Sequence, residues 1–293
     1  MIVFSSLKTG FLRSLQSWKG VLIIWFVMFI LVSVFMYPFR SSLGSAFGTS
    51  MITEKLEAGF DIEAFSDLGS ILKNLASFLT AGFIIVYLTG FIINAFLTGG
   101  LFHSLRKDSG KFSFQEFFRG CSANFWSFIV ISFIITLIMN FLSAIVLLIP
   151  LVIISSSETI SEKNAFAIVI LAVAFILIII PVFLLVADYA RAGKAANPNL
   201  SCFPALGFGF SQTFAKLKSS YILMLLLILA QIALGAVILL ILPEWRPVTG
   251  PGVFFLLIIS QLMFFFRLLL KTWRYASVTS LMENSSALSK ENL

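Results

Sequence analysis

The segment Asp188-Tyr189-Ala190-Arg191 sets an acid, a phenol and a base within four residues, directly after a long apolar run. A charge at such an edge has to be paired, hydrated or used, so it is a functional candidate. Asp188 and Arg191 stand at i and i+3 and can pair on one helix face. Arg267 lies three residues before the end of the last apolar run, after three consecutive phenylalanines. Its guanidinium can snorkel to a polar interface or reach Asp188. Aligning Tyr189 with Tyr275 puts Arg274 at the position of Asp188, which leaves room for an Asp–Arg clamp between two segments. Asp188, Tyr189, Arg191, Arg267 and Arg274 therefore read as a structural clamp or as part of a ligand site. The amides Asn94, Asn140, Gln231 and Gln261 fall inside apolar runs. They suit inter-helix hydrogen bonds of about 1 kcal/mol each, or the lining of a polar path.

Other chemistry is lacking. The single histidine, His103, sits near Arg106 and reads as a solvated loop residue. No His, Cys and carboxylate set has metal-ligand spacing. The sequence contains no phosphate-binding G-x-x-x-x-G-K-[ST] loop and no G-x-S-x-G nucleophile elbow, and LGFGF lacks the third glycine of a dinucleotide fingerprint. Cys121 and Cys202 make no disulfide framework. The expectation is a chain without enzymatic activity, cofactor or metal.

The elements that position these residues follow from composition. Of 293 residues, 59% are hydrophobic and 11% charged, with a mean hydropathy of +1.05. Soluble domains carry about a quarter charged residues, so lipid must cover much of this surface. Six apolar windows stand out: Val21–Tyr37, Leu75–Leu97, Phe128–Ile149, Ala165–Val186, Tyr221–Leu242 and Val253–Leu270. A helix of about 22 residues reaches roughly 33 Å, enough for a hydrocarbon core of about 30 Å. Period-2 alternation is weak, which argues against a barrel. The predicted class is all-α integral membrane, with six transmembrane helices arranged as three hairpins. The first apolar run is too long for a signal peptide and reads as an uncleaved span. Lysines and arginines gather in the N-terminal segment, residues 106–119, residues 191–218 and the C-terminal tail, whereas residues 40–74 and 155–164 are acidic or neutral. By the positive-inside rule both termini are cytoplasmic, and the expected location is a bacterial inner membrane. The net charge of +7 then reflects topology and anionic lipid. Nucleic acid is not an expected partner.

A pattern recurs three times. Residues 6–26, 113–133 and 201–223 each start at a serine, continue as an aromatic-studded helix and run into a span. Leu7, Phe11, Leu15 and Trp18 share one face, as do Phe114, Phe117, Phe118, Cys121 and Phe125, and Phe203, Leu206, Phe210, Phe214 and Leu217. Such stripes flanked by Lys and Arg suit amphipathic helices lying in the cytoplasmic interface, one before each hairpin. Ser113 with Glu116 matches a capping box and Ser201 an N-cap. The whole is one membrane domain, 1–293, of repeat units 1–110, 111–198 and 199–293. Residues 40–74 form an outer insertion with amphipathic character.

The segments "DYARAGKAANPNLSCFPALGFGFSQTF" and "GGLFHSLRKDSGKFSFQEFFRG" resemble a family of prokaryotic multi-pass membrane proteins of uncharacterised function. That family is similar in pattern to the membrane domain attached to some glycerophosphodiester phosphodiesterases. The likeness runs from about residue 75 onward. It implies a membrane module without the catalytic domain and transfers no site residue. Two functions are open: a non-enzymatic lipid-interacting scaffold or accessory subunit, or a transporter, channel or permease subunit with a polar path between helices. The expected partners are membrane lipids, other membrane proteins or further copies of the chain.

Overall fold

The computed structural model describes residues 2–47, 69–106, 112–156, 161–241 and 249–291. Most of the predicted outer insertion lies outside the described residues. Among those described are eight α-helices and no strand: α1 (Ile2–Gln16), α2 (Trp18–Phe47), α3 (Gly69–Ser104), α4 (Phe114–Ser156), α5 (Glu162–Ala196), α6 (Cys202–Ala215), α7 (Leu217–Ile241) and α8 (Gly250–Glu291). Six stretches are long and apolar enough to cross a bilayer: Trp18–Pro38, Ser77–Ser104, Phe114–Ser156, Glu162–Ala196, Leu217–Val237 and Gly250–Asn284. The protein is thus an all-α, multi-pass membrane protein.

The three serine-led segments take two forms. α1 and α6 are separate helices, set off from α2 and α7 by single residues, Ser17 and Lys216. Backbone bonds bridge both breaks: Gly20 N donates to Ser17 O at 2.9 Å, and Ser220 N to Lys216 O at 3.0 Å. The middle segment runs without interruption into its span as the 43-residue α4. Forty-three residues extend roughly 65 Å, about twice the hydrocarbon thickness, so part of α4 must lie beyond it.

The capping serines stand where expected, but their side chains do other things or nothing. Ser201 precedes α6 in extended conformation without a side-chain cap bond. Glu116 does not close a box with Ser113: its carboxylate lies 3.3 Å from His103 Nε2 and 3.7 Å from Arg119. His103 is correspondingly a residue of the α3 end, not of a solvated loop.

The described chain forms two compact units, one of Met1–Leu22 with Ala95–Leu293, the other of Ile23–Asn94. The smaller is the first helical hairpin. Phe35 stacks on Phe78 with centroids 6.3 Å apart, and Gly90 faces Leu31, leaving ordinary contact distance for a methyl group. The larger unit holds the other two hairpins, the lead segments and the ends of the returning helices.

Candidate functional site

Within the larger unit each lead helix packs on the end of a returning helix, and the contact is made through small residues. Gly209 of α6 sits against Val186 O and the Ala190 methyl of α5. Gly120 of α4 sits so close to α3 that a Cβ there would lie 2.6 Å from His103 Cβ, and Gly100 of α3 abuts Cys121 and the Phe117 carbonyl. Gly10 of α1 sits against Ser277 of α8. The third joint is sealed by more than packing. Arg13 Nη1 lies 2.7 Å from Glu283 Oε2, Trp273 Nε1 donates to Leu7 O at 2.9 Å, and Phe11 meets Trp273 edge-on at 5.2 Å. The order is cyclic: α4 rests on α3, α6 on α5, and α1, the first of the described helices, on α8, the last of them.

The three returning ends also touch one another. Phe102 of α3 packs on Tyr275 of α8 with centroids 4.7 Å apart. Arg106, just past α3, donates from Nη1 to Ala195 O of α5 at 3.2 Å. Arg274 of α8 places Nε 2.8 Å from Asp188 Oδ2 of α5, and Arg191 Nη1 approaches Oδ1 of the same carboxylate at 3.3 Å. Asp188 has no solvent exposure, and the two guanidinium side chains retain 14% and 10%. Arg191 extends from Nη2 to Ser132 Oγ of α4 at 2.9 Å. Tyr189 is fully buried with its hydroxyl 2.7 Å from Ser220 Oγ of α7. The Arg274 guanidinium lies 5.1 Å from the centroid of the Tyr275 ring. One carboxylate thus ties α5 to α8 and, through Arg191, to α4. If Phe102 is aligned with Tyr189 and Tyr275, Leu101 takes the place held by Asp188 and Arg274. Leu101 is buried too. Three equivalent positions carry an acid, a base and an apolar residue, and the acid and base meet.

Arg267 does not join this group. It lines a cavity of about 480 Å³ between α7 and α8 together with Gln231 and Ser260. Gln261 is half-buried on α8, Asn140 is exposed on α4, and Asn94 is half-buried in α3 at the end of the smaller unit. The five charged and aromatic candidates therefore separate into a buried cluster of four and a solitary Arg267, and the four amides do not share one location. At the α6–α7 break, burial lowers the pKa of the Lys216 ammonium below the ordinary lysine range, and Gln212 Oε1 accepts from it at 3.1 Å.

The contact faces were anticipated in part: Phe117, Cys121 and Leu206 of the stripes are buried. The aromatic stripes drew attention, yet Phe11, Trp18, Phe114, Phe118, Phe203 and Phe214 stay largely exposed, whereas Ser6, Gly10 and Ser14, and Ala205, Gly209 and Thr213, are buried. Both triplets have small residues every fourth position, the spacing that lets membrane helices approach closely. That signal was present in the sequence.

Among the described residues no group of three or more His, Cys, Asp or Glu is placed to hold a metal ion. No protein-family model, curated protein or solved structure matches this chain.

Proposed function

We propose that the chain is a non-enzymatic scaffold or accessory subunit of a bacterial inner membrane, with both termini cytoplasmic, that binds lipid and holds other membrane proteins. The supporting observation is the joint of three lead helices on three returning ends, knotted at Asp188. The carboxylate is enclosed and committed to two arginines, so its role is to fix which helices adjoin. A buried ion pair is weak evidence for stability and serves well as a device of specificity. The lead helices turn Phe11, Trp18, Phe114, Phe118, Phe203 and Phe214 outward, with Lys8, Lys19, Arg119 and Lys218 along the same segments. Aromatic rings beside cations suit a headgroup layer. The transporter reading draws its support from Gln231 and Arg267 in the α7–α8 cavity. It is weakened by the enclosure of Asp188, because a proton- or ion-carrying acid has to meet water in its cycle.

Native mass spectrometry after mild extraction tests the proposal. Retained anionic lipid or a co-purifying membrane protein is the expected result. A correctly folded chain released bare of both overturns it.

A further inference from the structure

The cavity between α7 and α8 has the size and the lining of a ligand site. Its volume of about 480 Å³ falls within the roughly 300–1,000 Å³ common for small-molecule pockets. Its walls are apolar, with Ile228, Ile232, Met263 and Phe264 on the two sides, and few polar groups enter it. Two of these, Arg267 and Gln231, make no ion pair or hydrogen bond to any described residue. Both omissions carry weight. An arginine in an apolar helix ordinarily finds a carboxylate or reaches water, and an amide at membrane depth ordinarily bonds a neighbouring helix. Side chains lean toward the N-terminus of their own helix. In this hairpin α7 and α8 run in opposite directions, so the Cα–Cβ bonds of Gln231 and Arg267, which both line the cavity, tilt in opposite senses along the hairpin.

Arg267 also begins a basic line. Arg267, Lys271 and Arg274 recur at i, i+4 and i+7, one face of α8. Lys271 lies over the Tyr275 ring at 5.8 Å, and Arg274 is held by Asp188. Arg267, the cation at the cavity, forms no ion pair with an acid among the described residues.

We propose that this cavity binds an amphiphile with an anionic head and an acyl tail. The carboxylate or phosphate accepts hydrogen bonds from the Arg267 guanidinium. The tail runs between Ile228, Ile232, Met263 and Phe264. Where the ligand carries an ester, as a phospholipid does, the Gln231 amide donates to its carbonyl oxygen. The inference deepens the lipid-binding reading and rests on it: it names one site and the head chemistry that site selects.

The test uses the full chain in a mild non-ionic detergent and three photo-crosslinking probes with a diazirine in the tail: palmitate, phosphatidylglycerol and neutral phosphatidylcholine. Adducts are mapped by peptide mass spectrometry. At least one anionic probe is expected to label residues 228–235 and 259–270 in preference to the exposed face of α4, and to be displaced by its unlabelled counterpart. Arg267→Gln should lower that labelling about tenfold, the loss of one charge-assisted contact, and Arg267→Lys should retain most of it. Gln231→Leu distinguishes the sources: it weakens phosphatidylglycerol labelling and leaves palmitate unchanged. Arg267 is exposed, so its replacement should leave the melting temperature unaltered. If Arg267→Gln misfolds, head-charge selectivity and competition on the unaltered chain still decide. Labelling spread alike over all lipid-facing helices, with no preference for anionic probes, overturns the inference. Should native mass spectrometry still find bound lipid in that case, the broader reading survives it. A chain with neither bound lipid nor focused labelling ends both.

Discussion

Arg274 sets its Nε 2.8 Å from the Oδ2 of Asp188, bridging helices 86 residues apart in sequence. The equivalent place on the third returning helix belongs to Leu101. Acid, base and leucine thus fill one position of a threefold pattern, and only the charged two can pair. That asymmetry favours one order of neighbours among three similar hairpins.

The charge pair should behave as a unit. Asp188→Asn leaves two guanidiniums beside an uncharged amide, and Arg274→Leu leaves the carboxylate with Arg191 alone. Each single change is expected to destabilise by about 3 kcal/mol, as for other broken buried pairs. Asp188→Leu combined with Arg274→Leu copies the Leu101 solution and should recover part of that loss, Arg191 keeping its bond to Ser132 Oγ. Thermal unfolding in detergent measures the difference. Additive losses in the double variant would show that the two residues do not act through each other.

Two neighbouring glycines should respond in opposite ways. A methyl group at Gly209 collides with the α5 backbone, whereas nothing lies within 4 Å of one at Gly207. Gly209→Ala should destabilise by about 1–3 kcal/mol through overpacking. Gly207→Ala should be neutral or stabilise by up to about 1 kcal/mol, since alanine is the better helix former. Melting temperatures of the two variants check the sign.

Among the described residues the Tyr189 hydroxyl has Ser220 Oγ as its partner, at 2.7 Å. Tyr189→Phe should cost about 1 kcal/mol, and Ser220→Ala a similar amount. Combined, they should cost little more than either alone. A double-mutant cycle reads the coupling directly.

Topology is open to labelling. In a background of Cys121→Ala and Cys202→Ala, a cysteine introduced at Lys163 should react with an impermeant maleimide added to intact spheroplasts, and one at Asn199 only after the spheroplasts are lysed. Both positions are exposed. Reaction of both from the same side would reverse the charge-based assignment.

The spans were the most legible part of the fold, because hydrocarbon imposes a minimum length on any apolar run that crosses it. The lead helices were legible through their serines and aromatic periodicity, but the small-residue face that makes their close contacts was overlooked. Rings such as Phe114 and Phe203 dominate a hydrophobic pattern, yet helices in lipid gain little by burying them and much by close backbone approach at Gly10, Gly120 or Gly209. Capping was misjudged for a related reason. The Glu116 carboxylate has a tertiary partner in His103, and no pattern local to residues 113–116 could reveal it. The grouping of Asp188 with Arg191 followed from spacing alone. Its link to Arg274 could be raised as an option by aligning the tyrosines, but the distance between them is a tertiary fact. Separating Arg267 from the cluster required the structure: it shares a face of α8 with Arg274, and the sequence does not say at what height along that face α5 is met.

The joint between α1 and α8 has a consequence for biosynthesis. Arg13 and Glu283 are 270 residues apart, and translation proceeds at about 5–20 residues per second. For roughly 15–50 s α1 therefore waits for its mate on α8. During that interval Arg13 can already reach Leu105 O at the end of α3, but the close contact of Gly10 with Ser277 has to wait until α8 is made.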